Sequence, residues 1–299
     1  PDFFSSLSNV LSKRETTYIT KIPLEYQRRC EISSALHFLS NSRGYIEMAC
    51  GSGKTLTSYW IDKYMYNSRT VIFVPSLYLL SQFFSDWVKQ SYGEKADVKY
   101  LLVGSDADVD SDVKYKSNGL ILCTSPKAIR KYIRVNYLHK IVIICTYQSS
   151  DKLAKACGTK IKFDFAILDE SHKTVGAVSK KFSRVLDDSF MFIYKRLSMT
   201  ATPKMYKGDV ESDEIVSMDN EAVYGKCIYT YNTGTAIRDK RLTDYQVITM
   251  YARNKDIERD ILKHKLVKFQ EEFTDLDANY LGIILLLLKK IHDGTCKHL

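Results

Sequence analysis

At 299 residues the chain can form one large domain, or one domain and part of another. With 45% hydrophobic and 26% charged residues it has the balance of a soluble globular protein, and neither repeats nor low-complexity tracts occur. The net charge of +9 suits a polyanionic partner, with Lys and Arg spread along the chain rather than gathered in a tail.

Residues 1–20 are rich in Ser and Thr and read as a loose arm or short helix. Ile22-Pro23-Leu24-Glu25-Tyr26-Gln27 follows, then a helical stretch from Arg28 to Leu39 with Ile32, Ala35, Leu36 and Leu39 as its apolar face. Gln27 either meets an adenine edge, as a glutamine shortly before a phosphate loop can, or faces solvent on its helix. Gly44 to Thr55 reads as a buried strand, a glycine turn and the first residues of a helix, which continues with apolar Leu56, Tyr59, Trp60 and Tyr64. This is the context a phosphate loop requires. In Cys50-Gly51-Ser52-Gly53-Lys54-Thr55 the two glycines free backbone N–H groups to converge on a triphosphate at the positive end of the helix. Lys54 would reach the β- and γ-phosphates of ATP, and the Thr55 hydroxyl would ligate Mg2+. Met48 stands where such loops usually carry their first glycine.

Thr70 to Pro75 is a short apolar run ended by proline, as expected of a parallel strand covered on both faces. A helix begins at Ser76 and carries Gln82, Phe83, Phe84, Trp87 and Val88. The alternation continues with strands at Tyr100–Val103 and Gly119–Thr124, separated by an acidic loop from Asp106 to Asp112, and with a helix from Lys127 to Tyr132 opened by Ser125-Pro126. A strand at Lys140–Cys145 ends in Thr146-Tyr147-Gln148-Ser149. Another, from Asp164, ends in Asp169-Glu170, and Arg196–Pro203 is a short strand closed by hydroxyl residues. Residues 204–240 hold an acidic loop and strand-like pieces such as Cys227-Ile228-Tyr229, read as a passage toward a second lobe beginning near Leu242. Helical segments follow at Lys255–Phe273 and Leu276–Ile291.

Strands alternating with helices imply an α/β fold, a mainly parallel sheet with helices on both faces. Ligands bind such sheets beyond the carboxyl ends of the strands, and every one of these polar clusters falls at such an end. Asp169 can support magnesium, mostly through water. Glu170 can polarise an attacking water.

Tyr26-Gln27, Met48 to Thr55, Val74-Pro75-Ser76 through Gln82, Thr146 to Ser149, Asp169-Glu170-Ser171-His172 and Ser198 to Pro203 occur in one order. In that order they resemble the motifs of the first RecA-like lobe of superfamily-2 helicases and translocases, the DEAD/DEAH-like group of P-loop NTPases. The resemblance is nearest in feel to restriction-enzyme helicase subunits. Those share the Met-Ala-Cys-Gly-x-Gly-Lys-Thr loop, the Thr-Tyr-Gln-Ser element, the Arg-Leu-x-Met-Thr-Ala-Thr-Pro run beginning at Arg196 and a tail seen here as Tyr224-Gly225, Ala236-Ile237-Arg238-Asp239 and Leu242 to Val247. Ser171 stands where alanine is commoner.

The resemblance implies an ATP- and Mg2+-dependent motor acting on nucleic acid, DNA favoured over RNA. The alternatives are an RNA helicase, or an ATP-gated binding scaffold that does not unwind. It implies that Gln27 contacts adenine, that Cys50 to Thr55 hold the phosphates, and that Thr55 and Asp169 support the metal. Lys54, Asp169, Glu170 and His172 would serve catalysis, and His172 with Ser198 and Thr200 would couple the nucleotide to the nucleic-acid face. Ser76, Gln82, Thr146, Tyr147, Gln148 and Ser149 would lie near the nucleic-acid backbone, with helix capping and turn formation as the lesser alternative for each. The expected organisation is an arm over 1–21, the ATP-binding lobe over 22–235, and a linker with the start of a truncated second lobe over 236–299. That second lobe would carry the arginine finger, so turnover by this chain alone is expected to be weak.

The seven cysteines show no C-x-x-C pair or metal spacing, and several sit in apolar strand-like runs. Together with the lack of a secretory signal they point to a reducing, intracellular compartment, whether cytoplasm, nucleus or a virion. The run Leu281–Leu288 falls short of the roughly 20 residues needed to span a bilayer, so no membrane partner is expected. The Tyr-, Lys- and Ile-rich composition hints at an AT-rich genome such as that of a large DNA virus.

Overall fold

The computed structural model describes residues 20–104, 122–177, 182–205 and 215–244. The chain divides into two compact units, residues 1–243 and 244–299, and the described strands and helices all belong to the first. The helices expected at Lys255–Phe273 and Leu276–Ile291, and the strand residues 119–121, lie outside the described residues.

Seven strands form one all-parallel sheet: β1 (Arg43–Met48), β2 (Arg69–Val74), β3 (Val98–Val103), β4 (Lys140–Thr146), β5 (Phe163–Leu168), β7 (Ile193–Thr200) and β9 (Lys226–Tyr231). Their spatial order is β3-β4-β2-β5-β7-β1-β9. Two short strands, β6 (Gly176–Ala177) and β8 (Ile215–Val216), pair antiparallel beside it. The helices are α1 (Glu25–His37), α2 (Lys54–Tyr64), α3 (Leu77–Gly93), α4 (Pro126–Val135), α5 (Ser150–Cys157), α6 (Glu221–Tyr224) and α7 (Thr233–Arg238). None of the helices among the described residues is long and apolar enough to cross a membrane.

The continuous apolar runs of β2 and β4 are explained by burial on both faces. Successive side chains alternate sides, so Ile72, Val74, Val142 and Ile144 enter one core with α1, α2 and α3. Val71, Phe73, Ile141 and Ile143 enter the other with α4 and α5. Helix starts follow local chemistry. The Ser76 hydroxyl accepts from the Leu79 N–H at 3.3 Å and that of Ser125 from the Ala128 N–H at 3.5 Å, and Pro126 stands in the first turn of α4, where its missing N–H costs nothing.

Several expectations need correction. Helix α1 starts at Glu25, before Arg28, and it buries Gln27, Cys30 and Ser34. Ile32, Leu36 and Leu39 of the expected apolar face are exposed. The small Cys30 and Ser34 let α1 lie close to α2 and β9, and side-chain size overrides hydrophobic count. In α2 it is Ile61 that is buried, while Tyr64 is exposed. The piece around Cys227–Tyr229 is no isolated passage, because β9 pairs in parallel with β1 as the seventh strand. Its tight start depends on Gly225 (φ 73), where a Cβ would lie 2.1 Å from the Arg43 carbonyl oxygen.

Candidate functional site

Parallel pairing brings the sequence-distant polar clusters to one edge. Strands β5, β7 and β1 are consecutive in the sheet, with Leu168 level with Ser198 and Glu47 level with Thr200. The loop after β1, the acid pair after β5 and the hydroxyl residues ending β7 are therefore neighbours.

The loop turns through Gly51 (φ 79) and Gly53 (φ 81), both left-handed. Such angles favour glycine, and they aim the start of α2 outward. Ser52 braces the turn: its hydroxyl donates to the Ala49 carbonyl at 2.7 Å and its N–H to the same oxygen at 3.2 Å. Cys50 is exposed at the crest. The Lys54 ammonium donates to the Met48 carbonyl at 3.2 Å, so it lies across the mouth of the loop. The Thr55 carbonyl accepts from the Trp87 indole N–H at 3.0 Å, which ties α2 to α3.

Gln27 is buried beneath this loop. Its Oε1 accepts from the Leu24 N–H at 2.9 Å, and its Nε2 donates to the carbonyls of Ser52 at 3.4 Å and Gly53 at 3.5 Å. These bonds make it a strut of the loop, and the adenine contact expected of it would compete with them. Tyr26 adds a support that periodicity does not reveal. Its phenol donates to the Ser52 carbonyl at 2.7 Å, and its ring stacks on Tyr231 with centroids 4.0 Å apart.

Asp169 is buried, and its carboxyl is pushed up to about 7, first by desolvation and then by the Glu170 charge beside it; Lys54 and Lys173 pull the other way. Glu170 holds a left-handed backbone (φ 49), uncommon for a non-glycine residue, so the chain turns sharply between the two acids. The turn is pinned from both sides. The Ser171 hydroxyl donates to the Met199 carbonyl at 3.2 Å, and Thr174 shares a 2.6 Å hydrogen bond with the Tyr224 phenol.

His172 Nδ1 lies 2.9 Å from the Thr200 hydroxyl and 3.3 Å from Glu170 Oε2. With the Thr200 hydroxyl donating to the Thr202 carbonyl at 3.2 Å and the Glu170 carboxylate facing Nδ1, both neighbours of Nδ1 are acceptors, an arrangement that a proton on Nδ1 satisfies. Burial holds the imidazole below its ordinary value against the Glu170 charge, helped by Lys173, Lys204 and Lys54. A neutral ring thus links the acid turn to the end of β7. Ser198 lies two residues earlier, inside the core.

The expected nucleic-acid residues divide. Gln82 is exposed on α3, and Ser76 is half-buried as the cap of that helix. Gln148 is half-buried and donates to the Pro75 carbonyl at 3.4 Å. Thr146, Tyr147 and Ser149 are buried. Tyr147 stacks between Phe73 and Phe182 and donates to the Asp169 carbonyl at 2.9 Å, so its work is internal. Arg196, which opens the Arg-Leu-x-Met-Thr-Ala-Thr-Pro run with no role of its own assigned from sequence, is buried with its guanidinium on the carbonyls of Val185, Met191 and Ile193 and on Asp188.

Residues 14–205 match the family described as "Type III restriction enzyme, res subunit". The chain belongs to this res-subunit family. Among its relatives is "Probable helicase A859L" of African swine fever virus. In the isolate Tick/South Africa/Pretoriuskop Pr4/1996 the identity is 27% over 226 residues, 74% of this chain and 23% of that protein. In the isolate Pig/Kenya/KEN-50/1950 it is 27% over 269 residues, 88% and 27%. The res-family lobe thus spans roughly a quarter of these curated relatives. In structure it is similar to the "ATP-dependent Type ISP restriction-modification enzyme LlaBIII bound to DNA", with TM-score 0.68 and 28% identity over 83% of this chain and 18% of that one. A nuclease-deletion mutant of the Type ISP enzyme LlaGI, in complex with a DNA substrate mimic, gives TM-score 0.59 and 28% identity over 83% and 23%. The chain is accordingly a RecA-like lobe of the superfamily-2 helicase type, related to restriction-enzyme and viral helicases.

The residues present fit a nucleotide with a divalent cation. Burial and the neighbouring Glu170 charge already resist ionisation of the Asp169 carboxyl, and a cation would relieve this. Among the described residues no three His, Cys, Asp or Glu side chains gather into a self-contained metal site. Thr55 and Asp169 could hold Mg2+ only together with phosphate oxygens and water, the coordination this ion prefers.

Proposed function

We propose that this lobe binds ATP with Mg2+ and drives a DNA translocase or helicase, working with a second RecA-like lobe as the resemblance implies. The observation that carries the reading is the adjacency of the Lys54 loop, the Asp169-Glu170 turn and Thr200 on three consecutive parallel strands. When bound, Mg2+ would offset charge on the β- and γ-phosphates. The loop N–H groups and Lys54 would hold the phosphates, and Asp169 with Thr55 would hold the metal. Glu170 polarises the attacking water. His172 passes the state of the Glu170 turn to Thr200. Gln82 and Gln148, on the segments that follow β2 and β4, would be the groups that meet a phosphate backbone. DNA as substrate rests on the relatives, two of whose structures are described as complexes with DNA or a DNA mimic.

The test measures ATP binding by this chain, and ATP hydrolysis by a protein carrying it together with a second lobe, with duplex DNA, single-stranded DNA and RNA. Lys54→Ala should weaken ATP binding on the order of tenfold or more, about 1.4 kcal/mol. Stimulation by DNA that disappears in Glu170→Gln supports the motor. No stimulation by any nucleic acid overturns it, stimulation by RNA alone reassigns the substrate, and DNA function that survives Glu170→Gln indicates a scaffold.

A further inference from the structure

The chain's positive charge is less evenly spread than its Lys and Arg content suggests. Residues 122–163 contain nine Lys and Arg against the single Asp151, a net +8 of the chain's +9. Cations occur throughout the sequence, but acids are nearly missing from this stretch. Lys140 neutralises the buried Asp62 at 2.6 Å, and Asp151 is neutralised by Arg184 at 2.6 Å. Eight cations remain, with no carboxylate of their own stretch left to offset them.

The fold gathers seven of them on one face, while the eighth, Lys162, lies over the Phe192 ring. Helix α4 buries Ile129 and Ile133 against the sheet. Lys127, Arg130, Lys131 and Arg134 are exposed, at the i, i+3, i+4, i+7 spacing that makes one stripe. Over seven steps of about 1.5 Å the stripe sets four positive charges along roughly 10 Å of surface. Helix α5 packs beside it, with Lys155 exposed on the side away from its buried Leu153 and Lys152 half-buried at the margin of the buried face. Arg130 joins the two helices by donating to the carbonyls of Ala156 at 2.7 Å and Lys155 at 2.8 Å, which also offsets the negative end of α5. Between the helices lies a cleft of about 430 Å³ lined by Arg130, Arg134, Thr159 and Lys160. Lys127, Lys131, Arg134, Lys155 and Lys160 have no carboxylate within 4.0 Å among the described residues.

The cleft is not part of the nucleotide edge. Cys123 bridges to Val103 at the end of β3, so α4 begins at the carboxyl edge of the sheet; it ends a few residues before β4 starts at Lys140. Arg134 and the turn Gly158–Ile161, just before β5, therefore lie toward the amino edge. We infer that the α4–α5 face is a second nucleic-acid contact, holding the phosphate backbone of a DNA duplex independently of the strand-end edge. The inference rests on the reading of the lobe as part of a DNA motor and adds a surface to it. A duplex presents one negative charge per roughly 1.7 Å of axis, a density this stripe matches more closely than a scattered acidic peptide would. The stripe holds no aromatic side chain on which single-stranded bases could stack, so the contact is with backbone and is insensitive to sequence.

The experiment titrates a duplex of about 20 base pairs with this chain by fluorescence anisotropy across about 0.05–0.3 M salt. The wild type is compared with the triple variant Lys131→Ala, Arg134→Ala, Lys160→Ala and with a control triple at exposed cations elsewhere, Lys95→Ala, Lys226→Ala, Arg238→Ala. ATP binding and the thermal midpoint report that each variant is folded. The expected result is a loss of duplex affinity of roughly tenfold or more for the first triple, and a salt slope shallower by about 2 to 3, near 0.9 per phosphate contact removed. An unchanged affinity and slope overturn the inference, as does an equal loss in the control triple, which would make net charge alone responsible. If the wild type binds ATP but no duplex at the lowest salt, the inference falls and the nucleotide reading stands. Loss of binding to anionic phosphatidylserine vesicles with DNA affinity intact also overturns it and assigns the face to a membrane surface.

Discussion

The Tyr147 phenol donates a hydrogen bond to the backbone carbonyl of Asp169 over 2.9 Å. Through this bond the end of β4 supports the acid turn after β5, although the intervening strand β2 separates them in the sheet. Replacing Tyr147 by Phe keeps the ring between Phe73 and Phe182 but leaves that carbonyl unpaired. A stability loss of about 1–3 kcal/mol is expected from urea denaturation. A loss within error of zero would show that the bond contributes nothing.

Asp169 is held where ionisation is resisted by burial and by Glu170. Asp169→Asn removes the buried charge and keeps the shape. At neutral pH its thermal midpoint without ligand should lie above that of the wild type, while Mg2+-dependent ATP affinity falls on the order of tenfold or more. A variant that is both less stable and equally good at binding would contradict the role given to this carboxyl.

Gln27 is bonded on both its amide atoms beneath the loop. Gln27→Ala should therefore weaken ATP and GTP alike, by about threefold to tenfold, since each neutral hydrogen bond contributes about 0.5–1.5 kcal/mol. Competition binding of the two nucleotides checks this. A loss confined to ATP would instead show that the glutamine reads adenine.

Glu94 accepts from Lys63 at 2.6 Å, Gln90 at 2.8 Å and Tyr59 at 3.0 Å. Burial raises its carboxyl, but these three donors outweigh burial and hold it below the ordinary value of 4.5. The depressed acid contributes stability that is fully present above that ordinary value and is lost as pH falls through the lower folded value. Glu94→Gln should lower the thermal midpoint at pH 7 and flatten the decline of stability below about pH 4.5. An unchanged slope on the acid side would refute the link.

Much of the site was legible because its pieces are local. The Gly51–Thr55 loop, the Asp169-Glu170 turn and the Ser125-Pro126 helix start each depend on a few adjacent residues whose backbone needs are written in their types. Less legible were residues whose role depends on a distant partner. Tyr147 reads as a polar loop residue until the Asp169 carbonyl is beside it. Arg196 reads only as the first residue of a short strand, yet its guanidinium is buried where the carbonyls of Val185, Met191 and Ile193 converge on it. Helix α1 carries two competing faces, and the three leucine and isoleucine side chains lose to Gln27, Cys30 and Ser34 because the latter fit against α2 and β9.

The amino-acid sequence by itself determined the alternation of strands and helices and the chemistry at each strand end, since both follow from short-range periodicity and turn residues. Only the tertiary structure decided the strand order β3-β4-β2-β5-β7-β1-β9. That order makes neighbours of Lys54, Asp169 and Thr200, and it brings α4 and α5 together so that their cations share one face. Such adjacency is a matter of which faces pack best over long loops, and no local pattern carries it.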